Sequence, residues 1–396
     1  MPSAIDLEHL SLDEGGHLLV ARALAGLGAG ESLEVCGYDP ALPLMLGAWC
    51  RAKGHRVEPW GEPEGGRHRV TVRKGEVEDL RWAGAVRAGS VDAPSAVADR
   101  RWGLAARGAL VEEGGPALDV AWVERDHVWA DIAPTLYARA AASQWDPATV
   151  VDWTPEVVPD DVEDAVVQVM TYLVENEQAA LMIPARMLAS LHPHYREVMQ
   201  LLASQVADEA RHVEIFTRRA LVSRDRMGTS SVAGRESLQT LLDEPDFTLA
   251  SFLLSVLGEG TFVDLLQFLH TNAPDRITAD VTRLAARDEA RHVVFGAAHT
   301  THLTRHDPAF LGRLRGAVER RHDALREVSG LNESVYDALV LLAAGSWEPA
   351  AISRGWRAVQ DLQARMDQGR RRRLAAIGFP DDEAAELSAL HTRNFM

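Results

Sequence analysis

Two copies of one hexapeptide hold the residues best suited to chemistry. Asp208–Val213 and Asp288–Val293 both read DEARHV, eighty residues apart. Six identical residues rarely recur by chance, whereas two similar helices in a pseudo-twofold bundle would produce them. Each copy sets a Glu and a His at i and i+3: Glu209 with His212, and Glu289 with His292. Residues three apart share a helical face, so a carboxylate oxygen and an imidazole nitrogen can reach one metal ion from each copy. A single Glu-x-x-His on a surface helix would signify only a solvated face. A di-metal bundle site needs two such pairs and a lone Glu from each of two further helices.

The lone carboxylates are legible too. Glu259 sits thirty residues before Glu289 inside SFLLSVLGEGTFVDLLQFL, an otherwise apolar stretch. A buried carboxylate without a partner costs roughly several kcal/mol, and a metal ion would remove that cost. For the first pair the choices are Glu175 and Glu177 in TYLVENEQAALMIPARML. Met170, Leu173, Glu177, Leu181 and Pro184 follow one helical stripe, and Glu175 lies about 200° away around the axis at ~100° per residue. Glu177 is therefore the expected ligand and Glu175 the alternate. Four carboxylates and two imidazoles form a hard, oxygen-rich donor set that suits Fe or Mn better than Zn or Cu.

On these motifs, residues 127–396 resemble the ferritin-like di-iron carboxylate oxygenases and oxidases. The resemblance implies two Fe ions, with Fe/Mn or Mn/Mn as variants, and O2 as co-substrate. It also implies a small organic substrate and an external two-electron reductant, a reductase or ferredoxin, because no nucleotide-binding glycine fingerprint is present. It implies further that Asp208 bonds His292 and Asp288 bonds His212, as a ligating His normally hands its other N–H to a carboxylate or carbonyl. Arg211 and Arg291 would pair with those acids or with other buried carboxylates. Several positions depart from family patterns. Phe216 stands where ribonucleotide reductase radical subunits place a Tyr. Ala285 stands where arylamine N-oxygenases add a His, and Val263 where multicomponent hydroxylases carry a Thr. The competing reading is an iron-handling ferroxidase without an organic substrate, and a third is a metal-free scaffold.

The elements that must position these residues follow from the wider sequence. The chain has 396 residues, 46% hydrophobic and 25% charged, which gives ample material for a core. A net charge of −17 argues against nucleic acid or an anionic membrane as partner. Two cysteines, Cys36 and Cys50, suit a reducing compartment, and the N-terminus lacks a basic region followed by an apolar one. The expectation is a cytoplasmic protein. The apolar stretch Ser251–His270 contains Glu259 and Asp264, and so reads as a buried bundle helix rather than a membrane span.

The fold expected is α+β. A small α/β domain over residues 1–78 precedes a Gly- and Ala-rich connector over 79–126. An all-α ferritin-like four-helix bundle with extra C-terminal helices follows over 127–396. Helices are expected over about 162–191 (capped by Asp160-Asp161), 195–222, 249–270, 278–303, 309–329, 334–345 and 351–377. His270 is expected to cap the third of these. His299 reads as a core or surface histidine, with the alternative that it faces the same channel as His292.

In the first domain, Ser32–Cys36 and Arg69–Arg73 alternate like strands and Leu42–Lys53 has helical spacing. With Asp39-Pro40, Cys50-x-x-x-Gly54-His55 and Lys74-Gly75, this stretch resembles the small bacterial sulfur-carrier (TusA-like) fold. That family's working Cys-Pro at the first helix is missing from Leu10–Leu19. Cys36 and Cys50 read as small buried residues. The expected roles are docking a partner, covering the active-site mouth or building a homodimer interface.

Overall fold

Alternation of apolar residues builds a sheet in the N-terminal part, and helical periodicity builds nearly everything after residue 130. The computed structural model describes residues 4–326 and 333–391, except the side chains at 78 and 79. Its contacts gather into two units. One comprises residues through Ser90 together with Arg101–Ala117, and the other Val91–Arg100 with Leu118 onward.

The first unit runs β1 (Ala4–Asp6), α1 (His17–Ala25), β2 (Ser32–Gly37), α2 (Leu42–Lys53), β3 (Arg56–Val57) and β4 (His68–Arg73). The sheet order is β1-β2-β4-β3. β1 pairs parallel with β2, and the other pairs are antiparallel. Leu33, Val35, Val70 and Val72 point to one face, where Val20 and Leu24 of α1 and Leu42, Leu46 and Cys50 of α2 close the core. Gly54 ends α2 at φ 75°, a left-handed conformation that favours glycine, and a Cβ there would meet Val77 at 2.6 Å. Cys36 and Cys50 are free and buried, and burial pushes the Cys50 thiol up to about 12, as expected of an inert core residue. The expected connector holds short elements: α3 (Val77–Arg81) and an antiparallel pair of β5 (Val86–Arg87) and β6 (Leu110–Val111).

The second unit is helical: α4 (Ala133–Ala142), α5 (Asp160–Ala189), α6 (Arg196–Leu221), α7 (Val232–Leu242), α8 (Phe247–Ser251), a π-helical segment (Phe252–Glu259), α9 (Gly260–Thr271) and α10 (Arg276–His306). Then come α11 (Phe310–Leu325), α12 (Glu333–Ala344), α13 (Pro349–Ile377) and α14 (Asp381–His391). α4, α7 and α14 were not anticipated. The expected helix over 309–329 ends earlier, and its last three residues lie outside the described residues. Asp160 and Asp161 do not cap α5. They occupy its first turn, where the helix's positive end favours acid, and Asp161 accepts a bond from the Val162 amide at 2.9 Å. Asp246 and Asp275 are true caps, accepting from the amides of Thr248 and Leu249, and of Thr278. His270, expected as a cap, instead bridges α9 to α10 by donating from Nδ1 to the Ala279 carbonyl at 2.8 Å.

Four helical rods form the bundle: α5, α6, the α8–π–α9 rod and α10. The third, Phe247–Thr271, is long and apolar enough to cross a membrane, but 89% of its apolar window is buried inside the protein. α10 presses close against it at Gly296, where a Cβ would lie 2.6 Å from the Ser255 Cβ. The ends of the rods are fixed by Arg219. This buried guanidinium of α6 bonds Glu163 of α5 through both terminal nitrogens (2.7 and 2.8 Å), Asp275 at the head of α10 (2.7 Å) and Thr278 (2.7 Å). Because the end of α6 thus meets the starts of α5 and α10, α6 runs antiparallel to both.

Candidate metal centre

Halfway along the rods, six side chains from four helices turn inward to one point. Glu177 comes from the middle of α5, Glu209 and His212 from α6, Glu259 from the last residue of the π segment, and Glu289 and His292 from α10. All six are buried. Their donor atoms fall into two overlapping quartets. Glu177, Glu209, His212 and Glu289 form one, and Glu209, Glu259, Glu289 and His292 form the other. Within each quartet the donor atoms all lie within 4.8 Å of one another. Glu209 and Glu289 belong to both, which is the arrangement that two neighbouring cations with two bridging carboxylates would need. Glu175, the alternate, is half-buried on the flank of α5 and outside both quartets.

Both imidazoles aim Nδ1 at the centre. His212 Nδ1 lies 3.2 Å from Glu209, 3.2 Å from Glu289 and 3.5 Å from Glu177. His292 Nδ1 lies 3.0 Å from Glu209, 3.2 Å from Glu289 and 3.9 Å from Glu259. The far nitrogens cross over between the two halves of the repeat. His292 Nε2 is 3.2 Å from Asp208, and His212 Nε2 is 3.6 Å from Asp288. The two aspartates are tied by the arginines of the same motif. Arg291 donates to Asp208 (3.0 Å) and Asp288 (2.7 Å), while Arg211 bonds Asp208 and lies 3.6 Å from Asp288. The Asp208 contact fixes the His292 ring with Nδ1 toward the centre, whereas His212 Nε2 stops just beyond hydrogen-bond distance of Asp288, so that expected bond is not made.

Three participants escaped the sequence reading. Trp145, in the segment after α4, donates from its indole to Asp288 at 2.8 Å, and its ring lies 4.9 Å from the Arg211 guanidinium. Gln205, buried on α6 one turn before Glu209, donates its amide to Glu259 at 3.1 Å. The third is the π segment itself. Each π turn takes an extra residue and re-aims the side chains that follow, and Glu259 is placed by this backbone. Gln205 could have been found from its i−4 spacing to Glu209. Trp145 offers no such signal, because its contact is purely tertiary.

Electrostatics show what the cluster lacks. Burial, then repulsion from Glu289 and Glu209, pushes the Glu177 carboxyl well above the usual range. Burial, then Glu289, does the same to Glu259. Burial opposes charge on both rings, yet the surrounding carboxylates, Glu177 foremost for His212 and Glu209 for His292, raise both imidazoles well above their ordinary value. Four of the cluster's buried carboxylate oxygens have no hydrogen-bond partner: Glu177 Oε1, Glu209 Oε1, Glu259 Oε2 and Glu289 Oε1. Such orphans are costly in an interior. Divalent cations would satisfy them, displacing protons as they bind. The residues therefore fit a pair of hard cations.

No protein-family model matches the chain, and no curated protein matches it by sequence. Solved structures that it resembles include R2-like ligand-binding oxidases. One is a mutant with an aerobically reconstituted Mn/Fe cofactor (TM-score 0.45, 17% identity, over 60% of this chain and 92% of the other). Another was solved with the aerobically reconstituted Mn/Fe cofactor after a long soak (TM-score 0.42, 16% identity, over 68% and 95%). At these values the likeness carries no argument, and the assignment rests on the chain's own side chains.

Proposed function

We propose that the protein is a non-haem di-metal oxidoreductase that uses O2 to oxidise or oxygenate a small organic substrate, with two Fe ions or an Fe/Mn or Mn/Mn pair as cofactor. The single observation that carries this reading is the pair of overlapping quartets with four orphaned carboxylate oxygens. Glu177, Glu209, His212 and Glu289 would hold one ion, and Glu209, Glu259, Glu289 and His292 the other. The bound pair would supply reductive activation of dioxygen. The chain's own part is to keep the ligands aimed. Asp208 and Asp288 hold the outer imidazole nitrogens, and Arg211 and Arg291 hold the aspartates. Two electrons per turnover would come from a reductase or ferredoxin.

An organic substrate is favoured over iron storage by the apolar side chains one turn from the ligands. Phe216, one turn after His212, is fully buried with its ring 6.3 Å from the imidazole, and Ala285 is fully buried one turn before Glu289.

Anaerobic reconstitution with Fe(II), followed by metal analysis, tests the reading. The wild-type chain should retain about two irons as a monomer or small oligomer and consume O2 once reduced. Glu209→Ala or His292→Ala should lose both metal and turnover. Full loading in both variants overturns the assignment, and a large shell taking up many irons per chain favours the ferroxidase.

A further inference from the structure

The repeat pairs positions eighty residues apart, so it shows where the two halves of the centre differ. One turn before each Glu-x-x-His, the paired positions are Gln205 and Ala285. Both are buried. Gln205 Nε2 donates to Glu259 Oε1 at 3.1 Å, whereas Ala285 has no polar atom to offer Glu177 across the bundle. The two lone carboxylates are consequently held differently. Glu259 has one oxygen engaged by an uncharged amide and the other without a partner. Glu177 has Oε1 without a partner and Oε2 only 3.5 Å from a ligand imidazole.

We infer that Gln205 is a positioning residue that makes the two metal positions unequal, by holding Glu259 through Oε1, the oxygen that lies 3.9 Å from His292 Nδ1. This inference rests on the reading of the cluster as a metal centre. The amide acts in two ways. It fixes the Glu259 rotamer, so less ordering remains to be done when a cation arrives. It also engages one oxygen of Glu259, whereas no amide engages either oxygen of Glu177. The His292 position is thus the rigid one and the His212 position the adaptable one.

Anaerobic titration of the metal-free protein with Co(II), followed by its ligand-field absorption, tests the inference without turnover. The wild type should bind two Co(II) in two resolved steps. Gln205→Leu keeps the volume and removes the donor. It should weaken one step by about 10–100-fold, the usual effect of removing a group that holds a ligand, and leave the other step unmoved. Gln205→Met should behave in the same way and guards against a folding defect peculiar to one side chain, with thermal melting of each variant as the control. Location comes from double variants. Gln205→Leu should weaken the remaining site on a Glu177→Gln background and add nothing on a Glu259→Gln background. If the wild type takes up no Co(II), the metal reading falls and this inference with it. If the wild type takes up two and the Gln205 variants match it step for step, or shift both steps equally, only the inference falls.

Discussion

Two buried clusters of charge in the bundle are built on opposite plans. At one end, Arg219 meets Glu163, Asp275 and Thr278, and none of their buried polar atoms lacks a partner. Both acids also sit at helix N-termini, where backbone amides and the helix dipole supply further positive charge. Ten residues back along α6, or fourteen forward along α5 and α10, lies the six-residue centre, roughly 15–20 Å away at 1.5 Å per residue. There four carboxylates face two imidazoles, and four oxygens have no partner. Where a buried charge only has to hold helices together, the chain brings its own counter-charge. Where it leaves buried oxygens without partners, the proposed cations would supply the missing contacts.

Removing Arg219 is the largest perturbation of the self-contained cluster. Arg219→Ala strands two buried carboxylates and should cost about 3–5 kcal/mol of unfolding free energy, read by chemical denaturation. Replacing Arg219, Glu163 and Asp275 together with apolar residues of similar volume should recover most of that loss, since a fully removed buried network is often neutral. Metal stoichiometry should remain at the wild-type value in the triple variant. If the triple variant folds but no longer loads metal, the two clusters are not independent and the contrast fails.

The sequence shows this division unevenly. The DEARHV repeat makes Glu209, His212, Glu289 and His292 visible because a helix converts spacing directly into shared direction. Glu259 is visible because a carboxylate in an apolar run has to be explained. Glu177 needs a stripe argument against Glu175, and it is the more buried of the two. Arg219 was unreadable, because RR at the end of a helix normally lies in water and its partners are 56 residues away in each direction. The π segment was unreadable for another reason: nothing in FLLSVLGE distinguishes an extra residue per turn from an ordinary α-helix, and its close approach to α10 at Gly296 is seen only in three dimensions. Trp145 belongs to a stretch without periodicity, so its bond to Asp288 could be seen only in three dimensions.

A third buried polar site sharpens the comparison through pH. His299, seven residues after His292 on α10, donates from Nδ1 to the Trp129 carbonyl (2.9 Å) and accepts at Nε2 from the Thr248 hydroxyl (2.9 Å). Both nitrogens are satisfied in the neutral ring, so this is a core histidine rather than a channel residue. Burial lowers its pKa from 6.5 to about 4. A depressed folded-state value means that the unfolded chain takes up the proton first. The contribution is therefore complete above pH 6.5 and is lost as the pH falls toward 4. The loss should reach about 3 kcal/mol by pH 4, at 1.36 kcal/mol per unit. His299→Gln should flatten the pH dependence of stability over that window, and an unchanged slope would show that the ring is charged or solvated.

The smallest effect is expected at Trp145, where the centre meets the surface. Its indole is half-buried and is one of the donors that hold Asp288, together with Arg291. Burial works against the Asp288 charge, but the nearby His212 ring, Arg291 and the indole hold its carboxyl well below the usual range. Trp145→Phe keeps a ring beneath Arg211 and deletes only the donor. Stability should fall by about 1 kcal/mol, the net worth of one partly exposed hydrogen bond. Metal affinity should fall by less than about tenfold, because the change is two contacts removed from the cation. The effect should be confined to the position that His212 serves. A loss shared equally by both positions, in the Co(II) titration that tests Gln205, would mean that the crossed Asp–Arg ties couple the two halves more tightly than either half is coupled to its own outer donors.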